Sequence, residues 1–347
     1  MPDEYLKPEL LVVGAGASIQ EYQQNGSGKP PGFPSVANFC GKLFQESHVL
    51  QFATAKYLNS LAVPFDDYIL KEYGRKKPGS KKLKGGWREN SPLKVFKNKE
   101  AEDPETFNIE KLTEYIWQTT SKDDQQFWNS FIEWGIYQSL SIIQISNFLG
   151  EGTNYKQLRS GQLASSFLAP RDRILNLNYD TCFDIGLKQA VGAISYAPME
   201  LPDTVIVHKP HGSLNLYINA ERGVFSFCEP DQIPGTLTYP DPEGGSWHPN
   251  MGIVPPRLSK SYSEHPIATA ILSSLKGFSP KRLTFWGVGL TESDYDLSAI
   301  YRECVSSCEI VDFINPDAQA CDRARSILDR DIRHHETLDD WYSSRMA

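Results

Sequence analysis

Short apolar runs that stop at glycines or polar clusters recur along this chain. Between them, apolar residues return every three or four positions. Leu10-Leu11-Val12-Val13 is the first run and ends at Gly14-Ala15-Gly16-Ala17-Ser18. Four apolar residues closed by glycines predict a buried strand turning tightly into a helix. A Gly/Pro loop at 26–34 follows, then a helix over about 35–51 with Val36, Phe39, Leu43 and Phe44 on one face. Residues 71–106, rich in Lys, Gly, Pro and Ser, predict a long exposed loop. From 107 to 150 the period is helical: Trp128, Phe131, Ile132, Ile136, Leu140 and Ile143 recur at three and four, with Gly150 as the C-cap.

The second half alternates. A strand over 173–178 precedes a helix over 183–190, and a strand over 204–207 runs into His208-Lys209-Pro210-His211-Gly212. Residues 229–262 are rich in Pro and Gly and predict irregular structure. A helix at 266–275, strands at 282–286 and 309–314, and helices at 297–306 and about 318–330 complete the pattern. Alternating strands and helices predict an α/β fold, a doubly wound and mostly parallel Rossmann-like sheet with a helical insertion. One domain over 1–347 is expected, its core built from 8–50 and 170–330. Residues 51–169 form the mainly helical insertion, including the basic, flexible segment 71–106.

Charge changes this picture at one place. The 347 residues carry a formal net charge of −8, yet residues 71–100 hold eleven Lys or Arg against three acids, a local +8. The rest of the chain is therefore at −16, which excludes a body that binds nucleic acid. The basic segment itself reads as a solvated loop or as a contact arm for nucleic acid or an acidic subunit face. Trp87 beside Arg88 offers a stacking surface. No run of apolar residues is long enough for a membrane span and no signal peptide is read, so the expected location is cytoplasmic. The six cysteines form no CxxC pair. They read as reduced structural thiols, and no metal site is expected.

In doubly wound sheets ligands bind outside the carboxyl ends of the strands. Five such ends carry polar or glycine clusters here: Gly14–Ser18, Asn176–Asp180, His208–Ser213, Gly287–Asp294 and Asn315–Asp317. Gly14 and Gly16 match the first two positions of a dinucleotide-binding GxGxxG, but Ile19 stands where the third glycine belongs. A phosphate cradle and an ordinary tight turn both fit. Asn178 and Asp180 fit either a site or a cap for the following helix. His211, beside Gly212, fits either an exposed imidazole that relays a proton or a hydrogen-bonded turn.

Taken in order, GAGAS, N-x-D, HG, G-x-G-L and N-P-D resemble the sirtuin fold, in particular the sirtuin-like NAD hydrolase domains of bacterial anti-phage defence. The resemblance runs from about residue 10 to 330. Gly-Phe-Pro-Ser at 32–35 resembles the stretch covering the nicotinamide end, which brings in Pro34. Ile253-Val254-Pro255-Pro256 with Lys260 also resembles a recurring piece of that group. Two departures stand out: the zinc ribbon of the protein deacylases is missing, and Pro-Ser-Val replaces their Asp-Phe-Arg.

The resemblance implies NAD+ as substrate, cleaved to nicotinamide and ADP-ribose without a metal. It implies His211 as general base, Asn178 orienting the ribose or attacking water, and Asp180 holding the carboxamide. Gly14, Ala15, Gly16 and Ser18 would line the pyrophosphate. Gly287 and Gly289 would lie under the diphosphate and adenosine ribose, and Asn315 would reach that ribose. It further implies self-association, or a partner such as a ring-shaped ATPase/helicase. A non-hydrolytic NAD or ADP-ribose sensor is the alternative, and a deacylase is disfavoured by the missing ribbon.

Overall fold

The computed structural model describes residues 8–25, 48–63, 92–149, 155–233, 238–249, 252–258, 262–290 and 295–347. Seven strands form one parallel sheet: β1 (Glu9–Val13), β2 (Arg173–Asn176), β3 (Ile194–Tyr196), β4 (Val205–His208), β9 (Arg282–Trp286), β10 (Ile310–Ile314) and β11 (Arg333–His335). Their order is β11-β10-β9-β1-β2-β4-β3, and every pairing is parallel. Two short antiparallel hairpins lie apart from it, β5 (Leu216–Asn219) with β6 (Val224–Phe227) and β7 (Tyr239–Pro240) with β8 (Ser246–Trp247).

The strands are mostly apolar on both sides because both faces of the sheet are covered, with buried Thr284 and Asp312 as the polar exceptions in β9 and β10. Leu10 and Val12 join Leu283, Phe285, Val311 and Phe313 in one buried cluster. Leu11 and Val13 join Ile174, Val205, Val207 and Trp286 in another on the opposite face. Helices make up much of the rest of the described residues. In chain order they are α1 (Ala15–Asn25), α2 (His48–Ser60), α3 (Pro92–Glu102), α4 (Ile109–Thr119), α5 (Lys122–Phe148) and α6 (Arg159–Ser165). Then come α7 (Cys182–Val191), α8 (Pro266–Ser273), α9 (Tyr295–Ser307), α10 (Ala318–Leu328) and α11 (Leu338–Met346). Leu297, Tyr301 and Cys304 of α9 and Ala320, Cys321 and Ala324 of α10 cover the first cluster. Phe183 and Leu187 of α7 and Trp341 of α11 cover the second.

The chain divides into two compact units. The first comprises 1–33, 140–254 and 259–347 and contains the sheet; the second comprises 34–139 and 255–258. No helix among the described residues is long and apolar enough to cross a membrane. Cys182, Cys228, Cys304, Cys308 and Cys321 are free thiols.

Several elements differ from the sequence expectation. The expected loop 71–106 contains α3, which starts with Pro92 in its first turn and buries Leu93, Phe96 and Glu100 on one side. Phe96 packs against Tyr57 at 5.9 Å and Phe107 at 6.2 Å between ring centroids. Its apolar spacing is masked in the sequence by the surrounding lysines. The helical stretch after 107 is two helices, the first capped by the Asn108 side chain accepting from the Lys111 N–H at 2.9 Å. The expected helix over about 35–51, with Val36, Phe39, Leu43 and Phe44, lies outside the described residues up to 47, and α2 occupies His48–Ser60. The sheet continues beyond residue 330, because β11 pairs with β10. Gly150 and residues 64–91, with Trp87 and Arg88, lie outside the described residues.

Candidate active site

Chain order makes β1 the turning point of the sheet: β2, β4 and β3 lie to one side of it, β9, β10 and β11 to the other. The strand-end clusters that follow β1, β2, β4 and β9 therefore meet at one end of the sheet, where such folds place their ligands.

Glycine is required at the centre of this meeting, for a reason the motif does not give. A Cβ on Gly14 would come within 2.5 Å of the Gly287 carbonyl oxygen, and one on Gly16 within 2.6 Å of the Gly287 Cα. Gly287 itself has φ +62°, and its own Cβ would lie 2.6 Å from the Ala17 nitrogen. Gly14 donates to the Trp286 carbonyl at 2.9 Å and Gly16 to the Gly287 carbonyl at 3.0 Å. Hence the two loops are sewn together backbone to backbone. Small residues at 14, 16 and 287 serve that close approach, whatever else they serve. Ala15 and Gly16 remain half-buried at the start of α1, while Gly289 is exposed, with open space where a Cβ would be.

Around this seam a polar cluster assembles. The Asn178 amide donates to the Gly14 carbonyl at 2.9 Å and to Ser18 Oγ at 3.3 Å. Ser18 Oγ lies 2.9 Å from both carboxylate oxygens of Asp180, to which it donates, and Asp180 also accepts from the Cys182 N–H at 3.0 Å. All three side chains are buried. Burial raises the Asp180 carboxyl above its ordinary range, with Lys209 and the hydrogen bonds opposing. Asn178 is not a helix cap: α7 starts after Thr181, whose side chain makes no capping bond.

The N-Y-D turn is held from behind by residues that the motifs did not single out. Lys209 Nζ donates to the Asp180 backbone carbonyl at 2.7 Å and to Asp184 Oδ2 at 3.1 Å, and both side chains of this ion pair are fully buried. Asp184 further accepts from Asn176 Nδ2 at 2.7 Å and the Tyr196 hydroxyl at 3.1 Å. Asn176 Oδ1 in turn accepts the Asn178 N–H at 3.0 Å. Asp184 was detectable as a lone acid in the apolar stretch Cys182-Phe183-Asp184-Ile185-Gly186; its partner was not.

His211 is 9% exposed and is fixed to the same strand end. Its Nδ1 lies 2.8 Å from the carbonyl of Leu177, the residue before Asn178. A carbonyl only accepts, so Nδ1 carries the proton and Nε2 is the acceptor of the neutral ring. Nε2 is met by the hydroxyl of Tyr262, a residue sequence reasoning missed in the Pro/Gly-rich stretch. Gly212 has φ +85°, and a Cβ there would strike the Gly252 carbonyl at 1.6 Å. The Val254 N–H donates to the His211 carbonyl at 2.8 Å, which ties down the Ile253-Val254 piece.

His208, three residues earlier, points elsewhere. It is fully buried and its Nδ1 lies 3.1 Å from the Ile271 carbonyl of α8. Asn315, at the end of β10, donates to the Val288 carbonyl at 3.4 Å and accepts from the Asp317 N–H at 2.9 Å. Pro34 and Lys260 lie outside the described residues. No cluster of three or more metal-ligating side chains occurs among the described residues.

No protein-family model and no curated protein matches the chain. Among solved structures it is similar to a Sir2 homolog–NAD complex at 11% identity, covering 98% of this chain and 88% of that one, with a TM-score of 0.37. A mutant Sir2 homologue–ADP-ribose complex is similar at 13% identity, over 90% of this chain and 82% of that one, with a TM-score of 0.36. Likenesses this distant carry no argument about activity, which rests on the residues themselves.

Proposed function

We propose that this chain is an NAD+ glycohydrolase, cleaving the nicotinamide–ribose bond with water as acceptor. One observation carries the reading. Ser18, Asn178, Asp180 and His211, drawn from three separate strand ends, converge at the turning point of a parallel sheet, with the His211 tautomer fixed by the Leu177 carbonyl. The motif resemblance supplies the substrate.

The chemistry suits those residues. Departure of neutral nicotinamide leaves an oxocarbenium-like ribose, so catalysis needs an aligned nucleophile and a base for its proton more than it needs a strong acid. His211 Nε2 is that base, acting on water or through a ribose hydroxyl. Asn178, anchored through its amide to Gly14 and Ser18 and through its backbone to Asn176, leaves its side-chain carbonyl to orient the ribose or water. Asp180 works on the carboxamide end and also fixes Ser18. Pyrophosphate would lie by Ala15, Gly16 and Ser18 at the start of α1, where partial positive charge favours it. Gly289 and Asn315 would take the adenosine half. NAD depletion in anti-phage defence, by an oligomer or beside a partner protein, is the wider role we assign on the same resemblance.

Purified protein incubated with NAD+, alone and with an acetyl-lysine peptide, tests this directly. Nicotinamide and ADP-ribose released without peptide are expected. His211→Ala or Asn178→Ala is expected to lower the rate about 10²–10⁴-fold, the usual loss for a general base. Binding of NAD+ without turnover would instead make the chain a sensor.

A further inference from the structure

A neutral imidazole that donates from Nδ1 has one lone pair left for catalysis, on Nε2. In this protein that lone pair is already taken. The Tyr262 hydroxyl donates to His211 Nε2, and the two rings lie nearly parallel, 12° apart with centroids at 5.5 Å.

The contact is built into the fold. Tyr262 begins a single 3-10 turn, Tyr262–Glu264, just before α8. Its backbone N–H donates to Asp296 Oδ2 at 2.7 Å, and its carbonyl accepts from Thr269 Oγ1 at 2.8 Å and from the His265 N–H at 3.1 Å. Tyr262 is 2% exposed, inside the buried cluster with Val254, Leu272 and Leu290.

We infer that Tyr262 masks the base: its hydroxyl occupies the proton-accepting nitrogen of His211 in the resting protein, and substrate must displace it before His211 can act. The inference rests on the proposed role of His211. Turnover then requires a exchange of hydrogen bonds, Tyr262 O–H···Nε2 for substrate or water O–H···Nε2. The proton passes from that oxygen to Nε2 as the new C–O bond to the ribose forms and the C–N bond to nicotinamide breaks.

Tyr262→Phe keeps the ring and removes only the hydroxyl. In protein labelled with 15N-histidine, the unprotonated-nitrogen resonance of His211, identified by its disappearance in His211→Ala, is expected to move downfield in Tyr262→Phe. An unmoved resonance overturns the inference. On NAD+, kcat/KM of Tyr262→Phe is expected to rise about five-fold, the worth of one neutral hydrogen bond no longer to be broken. A value at or below that of the wild type overturns it too. The two readings fail separately. Wild-type turnover by His211→Ala would sink the base assignment, while the resonance still decides whether Tyr262 holds Nε2.

Discussion

Lys209→Met is the most exacting test of how the site is held together. Lys209 and Asp184 form an ion pair with no exposed side-chain surface on either partner. Removing the ammonium leaves the Asp184 carboxylate buried with two neutral donors among the described residues, Asn176 Nδ2 and the Tyr196 hydroxyl. It also strips the Asp180 backbone carbonyl of its Lys209 donor. Breaking a buried pair from one side costs about 3–5 kcal/mol. Set against the roughly 5–15 kcal/mol that stabilises a typical domain, the variant should still fold, with a large share of its margin gone. At about 2–4 °C per kcal/mol for a domain of roughly 150–250 residues, the melting temperature should fall by about 6–20 °C. Far-UV circular dichroism during thermal and urea unfolding reads this directly. The double variant Lys209→Met/Asp184→Leu removes both charges, and should lose less than the two single variants summed. If Lys209→Met melts within about 2 °C of wild type, the buried pair is not what fixes the N-Y-D turn and the reasoning fails.

Three further outcomes are expected. Gly212→Ala should be far more destabilised in urea than Gly289→Ala, because the first places a Cβ against the Gly252 carbonyl at positive φ and the second meets open space; equal midpoints would contradict this. Burial lowers the His208 pKa to about 4, below its ordinary 6.5, so the neutral ring stabilises the fold fully above pH 6.5 and progressively less toward pH 4. That loss amounts to about 3 kcal/mol and should be absent from His208→Asn when unfolding is compared across the window. Deleting 75–90 should leave NAD turnover intact or raised, read as nicotinamide release. Extending the deletion to 99 removes buried Phe96 and should cost at least the roughly 3–5 kcal/mol of a lost core phenylalanine.

Much of the sheet was legible in the chain itself. β1, β2, β4, β9 and β10 announced themselves as largely apolar runs cut off by glycine or polar residues, because a parallel strand covered on both faces is mostly apolar. The strand ends also carry Ser18, Asn178, Asp180 and His211, the residues of the proposed site, because ligands of such sheets bind at that end. Short β3 and β11 went unread, their runs too brief to show a period. Helix α3 was hidden by lysines on its exposed side.

What only the tertiary structure decided is pairing. Gly14, Gly16 and Gly287 are far apart in sequence, and their need for glycine appears only when β1 and β9 lie side by side. Lys209 finds Asp184 because β4 neighbours β2, which brings the start of α7 over its end. Tyr262 reaches His211 from 51 positions away, through the turn that leads into α8. Periodicity and end signals are local properties, written in a few adjacent residues. The partner of a buried charge or of an imidazole nitrogen depends on the order of strands across the sheet, which no local pattern encodes.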